Sequence, residues 1–599
     1  MWLRINKRSF PPLRATKIGK LNEKLNENAV EKRFKLYDQD QVLHVPIRIG
    51  SLIPEGHLVR IVNQVVDDID MTSLAEYYPG GGSSPYHPKM MIKVWIYGYC
   101  DRVYTSRRLS KSLGENVHYI WLSGNQHPCF KTLSAFRSGK MQEMVDIVFK
   151  EVLKMLVDLG YIDLGTLYVD GSKWEANANR YKAIWRKNTD RYKAAVIERI
   201  EKLLAEIKVL QQIEDEKYGT KDLAEKGEKG EEQNVAIVMN SAVVGQHLVR
   251  LQSLVSAQAA AQAEKSKKIS KLSKCELAKK LAKKLEKIGH KLSEEQVKLI
   301  KYEGQEAILG KRNSYNKTDE DATMLRMKDE RLLPAYNVEH STTNQYVVNY
   351  TIAQNASDSP TLIPHLDKMA DRFEGIAKPK QSSLIGDAGY GSEENYADLE
   401  KRNMIAYVKY PLWYQEQTGE LATKKFKREN WVYDQVSDTY TCPNERKLNF
   451  AYQKTDITDN GYDRTVSVYQ CESCEDCPFA EQCKRSENSE DKARTVQHSA
   501  KGEAYKEKAK NLLSTDKGKE MRKNRSIEVE SVFGDIKFNT QHDRFVLRGI
   551  EKVYVEYGLL AIGHNLRKVY CRQSGIWADY YAQRAAKKGQ KAQKGQKRA

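Results

Sequence analysis

The stretch Leu167-Tyr168-Val169-Asp170-Gly171-Ser172 places a carboxylate directly after a short apolar run of the kind that forms a β-strand. A second stretch, Ser383-Leu384-Ile385-Gly386-Asp387-Ala388-Gly389, repeats this arrangement and brings Asp387 to the end of its own apolar run. Side chains at the carboxyl ends of neighbouring strands in an open α/β sheet converge on one crevice. We therefore expect Asp170 and Asp387 to lie side by side at the edge of a sheet.

A third acidic residue, Glu530, lies in the amphipathic stretch Ile527-Glu528-Val529-Glu530-Ser531-Val532-Phe533. Its spacing of seven residues to Lys537 places both side chains on one face of a helix. Glu528 is the rival for this position, but on a helix it points about 200° away from Glu530. Three converging carboxylates can hold two divalent cations, which activate one oxygen and stabilise the leaving oxygen in phosphodiester chemistry.

The composition favours a polyanionic partner. The 599 residues include 99 Lys and Arg against 80 Asp and Glu, so the net charge is +19 and the pI is near 9.2. This surplus suits nucleic acid, although basic tails on a protein with another partner would give the same surplus. No run of about 18 apolar residues occurs, and the first residues lack an apolar signal segment. The sequence therefore predicts a cytoplasmic protein without a membrane span.

The order of strand and helix patterns predicts a multidomain α plus α/β protein with one mixed sheet and two insertions. Leu and Ile recur at three- and four-residue spacing in the first insertion, which is typical of a helical hairpin or short coiled coil. That insertion would be a spacer or subunit contact, or its Lys-rich arm would clamp DNA. The predicted parts are a basic arm (1–43), a helical DNA-binding or dimerisation domain (44–160), a catalytic core (161–185, 319–424 and 500–572), the helical insertion (186–318), a Cys-rich insertion (425–499) and a basic tail (573–599).

Five of the nine cysteines crowd into residues 442–483. Two C-x₂-C pairs overlap in 471–477, and such pairs aim two thiolates at one point, as tetrahedral Zn²⁺ requires. Zinc needs only four ligands, so either one cysteine is spare or the cluster is a set of reduced surface thiols. The candidate ligands, four of which would bind one Zn²⁺, are Cys442, Cys471, Cys474, Cys477 and Cys483.

Four stretches of this chain resemble the DDE transposases of bacterial insertion sequences: 168–179, 386–395, 525–537 and 544–553. The helical region 45–150 is also similar to the domain that these enzymes carry ahead of their catalytic core. The resemblance implies a ribonuclease-H-like core that is interrupted by the two insertions. It also implies a homo-oligomer that binds double-stranded DNA, both the element ends and the target.

The resemblance assigns chemical roles to four residues. Asp170, Asp387 and Glu530 would bind two Mg²⁺ or Mn²⁺ ions, and Lys537 would be a catalytic residue beside the phosphate. A water would be the first nucleophile, and a DNA 3′-hydroxyl would be the second.

One part of the family pattern is displaced in this chain. Related transposases often have an Arg four residues before the last carboxylate, where this chain has Ser526, and a Tyr three residues earlier, where it has Lys523. Arg525 is one residue away from the expected position. The spacing from Glu530 to Lys537 fits the pattern, so we carry over both residues and treat Arg525 as a weaker candidate.

Five further residues are candidate DNA contacts. Lys173 and Tyr390 follow the two aspartates closely and could reach a phosphate or a flanking base. Arg544, Arg548 and Lys552 recur at four-residue spacing, which on a helix gives either a phosphate-binding stripe or a solvated face.

The expected activity is metal-dependent cleavage at the ends of an insertion sequence and strand transfer into target DNA. Two alternatives stay open: a nuclease that cleaves without strand transfer, and an inactive remnant that still binds element ends. Cleavage without joined products would favour the nuclease. Binding without cleavage in Mg²⁺ or Mn²⁺ would favour the remnant.

Overall fold

The computed structural model describes residues 48–70, 85–218, 239–265, 272–484 and 493–575. The predicted basic arm, the predicted turn inside the helical insertion and nearly all of the predicted basic tail therefore lie outside the described residues. The chain divides into two compact units, Met1–Leu52 and Ile53–Ala599. The described part of the first unit contains a 3-10 turn, Ile49–Leu52. Across the described ranges, every helix is too short or too polar to cross a bilayer.

A six-stranded mixed sheet forms the centre of the second unit. Its strands are β1 (Thr166–Glu175), β4 (Thr323–Arg326), β5 (Leu332–Thr343), β6 (Tyr346–Ala353), β7 (Ser382–Gly386) and β8 (Met404–Val408). β5 pairs antiparallel with β1 on one edge and with both β4 and β6 on the other. β7 and β8 continue the sheet beyond β1 as parallel strands. The predicted mixed sheet is thereby confirmed. A separate pair of short strands, β2 (Ala183–Trp185) and β3 (Ser314–Asn316), stands at the base of the helical insertion.

Helices precede, interrupt and follow this sheet. Those before it are α1 (Leu58–Asp67), α2 (Pro88–Cys100), α3 (Ser106–Glu115), α4 (Val117–Ser123), α5 (Phe130–Ser138) and α6 (Met141–Asp158). Those of the first interruption are α7 (Arg186–Tyr218), α8 (Ser241–Lys265) and α9 (Leu272–Leu309). The later helices are α10 (Leu362–Phe373), α11 (Glu393–Lys401), α12 (Trp413–Gln417), α13 (Ala480–Cys483), α14 (Ala500–Ser514), α15 (Asp516–Arg525), α16 (Ser531–Gly534) and α17 (Ile550–Gln573).

The N-terminal helices and the sheet share one buried core. Helix α17 lies between them, and two of its glycines allow the close approach. A Cβ at Gly558 would lie 2.6 Å from Val145 of α6, and a Cβ at Gly563 would lie 3.3 Å from the Tyr99 backbone of α2. The helical N-terminal region of the prediction is confirmed, and its core is continuous with that of the sheet.

The first interruption contains three long helices with a core of their own. Helix α9 packs against both α7 and α8. The buried residues include Val196 and Ile200 of α7, Leu251 of α8 and Leu292 of α9, which follow the apolar spacing seen in the sequence. Helix α8 is a third helix in addition to the two arms that the apolar spacing predicts.

A second sheet contains the cysteine-rich part of the chain. Its strands are β9 (Val432–Asp434), β10 (Thr439–Thr441), β11 (Lys447–Ile457), β12 (Asp463–Cys471) and β13 (Thr495–His498). They pair antiparallel in the order β13-β12-β11-β10-β9. The tip of the β11–β12 hairpin contacts helix α11. There, Thr458 donates a hydrogen bond to Glu394, and Tyr462 donates one to Glu393.

Candidate active site

The three predicted carboxylates surround one guanidinium group. Arg525 lies 2.9 Å from an oxygen of Asp170, 3.5 Å from one of Asp387 and 3.9 Å from one of Glu530. The Arg525 and Asp170 side chains are 12% and 16% exposed, whereas Glu530 is 57% exposed. The structure thus brings together residues from β1, from the turn after β7 and from the helical run near the C-terminus.

Strand register makes Asp170 and Asp387 neighbours. Tyr168 pairs with Ile385 in the parallel ladder, so the two aspartates, each two residues further on, lie level. Asp170 is in the middle of β1 and not at its end, because β5 continues to pair with β1 as far as Glu175. The expected convergence therefore depends on where β7 ends, at Gly386, and not on where β1 ends.

A π-helical turn, Ser526–Glu530, brings Arg525 to the face of Glu530. In a regular α-helix a residue five positions earlier points about 140° away. A π turn closes its hydrogen bonds over five residues and so absorbs one extra residue. The Arg that seemed displaced by one position in the sequence is therefore directed at the carboxylates.

Glu528 faces away from the site. Its carboxylate accepts a hydrogen bond of 2.6 Å from the backbone N–H of Gln345. Burial raises the pKa of Glu528, and Lys568 opposes that rise. Glu530 is accordingly the residue of this turn that lies beside Arg525.

Two acidic residues that the sequence analysis did not identify, Glu339 of β5 and Asp358, lie behind the site. A Cβ at Gly171 would come within 2.7 Å of a Glu339 oxygen and 2.8 Å of an Asp358 oxygen. Burial raises the pKa of Asp170 to about 6, Arg525 opposes the rise, and Asp387 and Asp358 add to it. The site is therefore more acidic than the three predicted residues suggest.

Tyr390 belongs to the buried side of this network. It is fully buried, and its hydroxyl donates to Glu339, which also accepts from Asn337 (3.1 Å) and Thr361 (2.8 Å). The prediction that Tyr390 contacts DNA was wrong, because the ring packs beneath the site instead of facing solvent.

Lys537 lies next to the carboxylates but bonds to β1. Its ammonium donates to Ser172 Oγ (2.6 Å) and to the Lys173 carbonyl (2.8 Å), and it lies 4.0 Å from the Trp174 ring centroid. Burial and the charge of Lys328 together lower the pKa of Lys537 to about 7, although the charges of Asp543 and Asp170 oppose the shift. In this structure Lys537 holds the strand that carries Asp170.

The predicted basic stripe over 544–552 is not helical, because α17 begins only at Ile550. Arg544 pairs with Glu175 at 3.4 Å, and Arg548 donates to the Asn177 carbonyl at 2.7 Å. These arginines join their loop to the end of β1. Lys552 is exposed on the first turn of α17, and Lys173 donates to the Arg326 carbonyl at 3.0 Å.

Two family models match parts of this chain. A model described as a transposase DDE domain matches residues 441–570, and a model described as a transposase domain (DUF772) matches residues 47–139. Both matches support a DDE transposase of an insertion sequence. The first match includes Glu530, whereas Asp170 and Asp387 precede it. Neither the curated proteins nor the solved structures contain a match.

The cysteine cluster converges on one small void. All five cysteines, which are free thiols, line a cavity of about 20 Å³, enough for one water-sized atom. Cys442, Cys471, Cys474 and Cys483 also pack in the small core of the second sheet. The Arg494 backbone N–H donates to Cys474 Sγ at 3.2 Å. Cys477 lines the cavity but is outside that packed core.

In the described residues, neither the three carboxylates nor the cysteine cluster is arranged as a finished metal site. Within the described ranges, no three His, Cys, Asp or Glu side chains are positioned to hold a metal ion together. At the carboxylates the reason is visible, because the Arg525 guanidinium occupies the space between them. Carboxylate oxygens are still the ligands that Mg²⁺ and Mn²⁺ prefer, so the donor chemistry fits once Arg525 moves.

Proposed function

We propose that this chain cleaves DNA at the ends of an insertion sequence and joins those ends to target DNA in a reaction that depends on a divalent metal. The observation that carries the proposal is the convergence of Asp170, Asp387 and Glu530 within 4 Å of one cation, the Arg525 guanidinium. Three acidic side chains from distant parts of the chain would repel one another unless the site is built for cations.

The sheet supports the ribonuclease-H-like core that the resemblance implies. Antiparallel strands β6, β5 and β1 are followed by parallel strands β7 and β8, and the acidic residues lie where β7 ends. In this proposal, 186–318 and 425–499 are insertions into that core. They leave the strand order intact while separating its parts along the chain.

The proposed cofactor is a pair of Mg²⁺ or Mn²⁺ ions held by Asp170, Asp387 and Glu530. When bound, they would activate the attacking water or 3′-hydroxyl and stabilise the leaving oxygen. Arg525 would leave the carboxylates and become free to pair with a DNA phosphate. Lys537 would keep β1, and with it Asp170, in place.

We further propose one structural Zn²⁺ at the cysteine cavity. Four thiols in one small core, one of them accepting a backbone N–H, suit a tetrahedral sulfur site. The ligands would be Cys442, Cys471, Cys474 and Cys483, and Cys477 would be the spare thiol. Small rotations about χ1 would turn the thiolates towards the void.

We also propose that the protein acts in the cytoplasm as a homo-oligomer, since two element ends must be joined together.

The deciding experiment is cleavage and joining of labelled element-end DNA with Mg²⁺ and with Mn²⁺. We expect wild type to cut and join, and Asp170→Ala, Asp387→Ala and Glu530→Ala to bind DNA without cutting. Glu528→Ala is the matched control, because it changes the same turn but faces Gln345. Cuts without joined products would leave only a nuclease, and binding without cuts in wild type would indicate a remnant.

A further inference from the structure

Lys409, just after the end of β8, lies in register with Asp170 and Asp387 on the two neighbouring strands. Gly386 pairs with Val408 in the β7–β8 ladder, so Asp387 and Lys409 are the next residues on their strands. The Lys409 N–H still donates to the Gly386 carbonyl, at 3.5 Å. Residues in register on paired strands present their side chains to the same face. Asp170, Asp387 and Lys409 therefore form a row across three adjacent strands.

The backbone around Lys409 is tightly held. A Cβ at Gly391 would lie 2.2 Å from the Lys409 carbonyl oxygen, so the turn after Asp387 crosses directly over this residue. Such packing leaves the Lys409 backbone little freedom to move. The half-buried ammonium is close enough to Asp387 and Glu530 to feel both charges, and also those of Arg525 and Arg522. No hydrogen bond or ion pair to this ammonium is found among the residues that the structure describes.

Arg522 lies on the same side of the site. It is three residues before Arg525 on α15, which places the two side chains on neighbouring parts of one helix face. Its guanidinium lies over the Trp413 ring, 5.0 Å from the centroid. The Arg522 Nε is buried without a hydrogen-bond partner. Arg525 has the carboxylates as partners, whereas Lys409 and Arg522 keep donors for another anion.

We propose that Lys409 and Arg522 bind the backbone phosphate that flanks the scissile phosphate of the DNA strand. This proposal rests on the proposed function, since it takes DNA as the substrate held over the carboxylates. Two cations with free donors lie beside an acidic site that would bind metal ions. They suit a DNA strand in which the metal ions hold one phosphate and the protein holds the next. Trp413 holds the Arg522 plane in position, as stacked arginines at such contacts require.

The opposing explanation is that Lys409 only balances the charges of Asp387 and Glu530. The two roles differ in their salt dependence, because a lost phosphate contact lowers the slope of log K against log salt by about 0.9. A lost internal counter-charge would change stability and leave the slope as it was.

The test is binding of a fluorescent duplex that carries the element's own end, in EDTA, over about 50 to 200 mM KCl. We expect Lys409→Gln and Arg522→Gln each to lower the slope by about 0.9, and Lys409→Arg to keep it. Lys401→Gln is the matched control: Lys401 is exposed and precedes the amino end of β8, away from the site. It should bind as wild type does.

Unchanged slopes for both Lys409→Gln and Arg522→Gln would overturn the proposal, and so would a wild type that does not bind the duplex. Thermal unfolding of each variant shows whether it is folded; if one glutamine variant does not fold, the other decides. Because binding is measured in EDTA, a wild type that binds but never cuts would refute the proposed activity without affecting this result.

Discussion

The Arg525 guanidinium lies 2.9 Å from the Asp170 carboxylate, in the space that a metal ion bound to the three acidic residues would need. The protein thus neutralises its own acidic site with a side chain that belongs to the same helical run as Glu530. A metal ion bound as proposed would compete with the Arg525 ion pairs for the same oxygens, and this competition can be measured.

Replacing Arg525 with Gln should destabilise the metal-free protein and increase its response to Mg²⁺. Removal of the guanidinium leaves clustered carboxylates unpaired, at a cost of about 1–3 kcal/mol. Mg²⁺ should then raise the Tm of the variant by more than that of wild type. Thermal unfolding in EDTA and in Mg²⁺ measures both effects. Arg331→Gln, which removes an exposed pair with Asp329, should change little. Equal Mg²⁺ shifts in variant and wild type would show that Arg525 does not compete with the metal.

Gly171→Ala should disturb the site from behind. The added methyl group would come within 2.7 Å of Glu339 and 2.8 Å of Asp358, so the variant should lose about 1–3 kcal/mol of stability and most of its cleavage activity. Gly304→Ala is the control, because that glycine lies in α9 with nothing within 4 Å, and alanine there should stabilise by up to about 1 kcal/mol. A fully active and stable Gly171→Ala protein would mean that Glu339 and Asp358 are not packed against Gly171 as described.

His365 should make the fold sensitive to acid. It is fully buried, it hydrogen-bonds Ser341 and Thr351, and burial lowers its pKa from 6.5 to about 3, with Arg372 adding to the effect. Below pH 6.5 His365 is protonated in the unfolded chain but stays neutral in the folded chain. Stability is therefore lost as the pH falls from about 6.5 towards 3, by about 1.4 kcal/mol per unit from this residue.

Urea unfolding of wild type and His365→Gln between pH 4 and 7 measures this contribution. The variant should be less stable than wild type at pH 7, but its free energy of unfolding should change less with pH. Replacement of the exposed His127 should leave the pH dependence of the unfolding free energy as it is in wild type. Parallel curves for wild type and His365→Gln would assign the acid sensitivity to other groups.

Purified protein should contain about one zinc per chain, and the cysteine variants should divide into two classes. Cys474→Ser removes a thiol of the packed core and should lose the metal and lower the Tm. Cys477→Ser should keep it, because Cys477 is outside that core, and the exposed Cys129→Ser should match wild type. If elemental analysis finds no zinc in the wild type, the proposed site does not exist. If Cys477→Ser alone loses zinc, Cys477 is a ligand and the assignment of the spare thiol is wrong.

Strand β5 shows why part of the fold was not visible in the sequence. It is buried along almost its whole length, yet it contains Asn337, Glu339, His340 and Ser341 in place of an apolar run. Several of these side chains have partners far away in the chain: His340 Nδ1 bonds to the Tyr557 hydroxyl at 2.9 Å, although His340 Nε2 is buried without a hydrogen-bond partner among the described residues. A local sequence pattern does not predict a strand whose polar groups are paired with residues far away in the chain.

The sequence by itself determined the acidic residues, their local settings and the chemistry that they suggest, because short apolar runs ending in Asp and a carboxylate–lysine spacing are local features. It also determined the helical N-terminal region and the mixed character of the sheet, which follow from periodicity. The tertiary structure alone decided that Arg525 faces the trio, that Asp358 and Glu339 lie behind it and that Tyr390 is buried. Those outcomes depend on a π turn, on strand register and on contacts between residues far apart in the chain, where small shifts in backbone geometry decide which side chains meet.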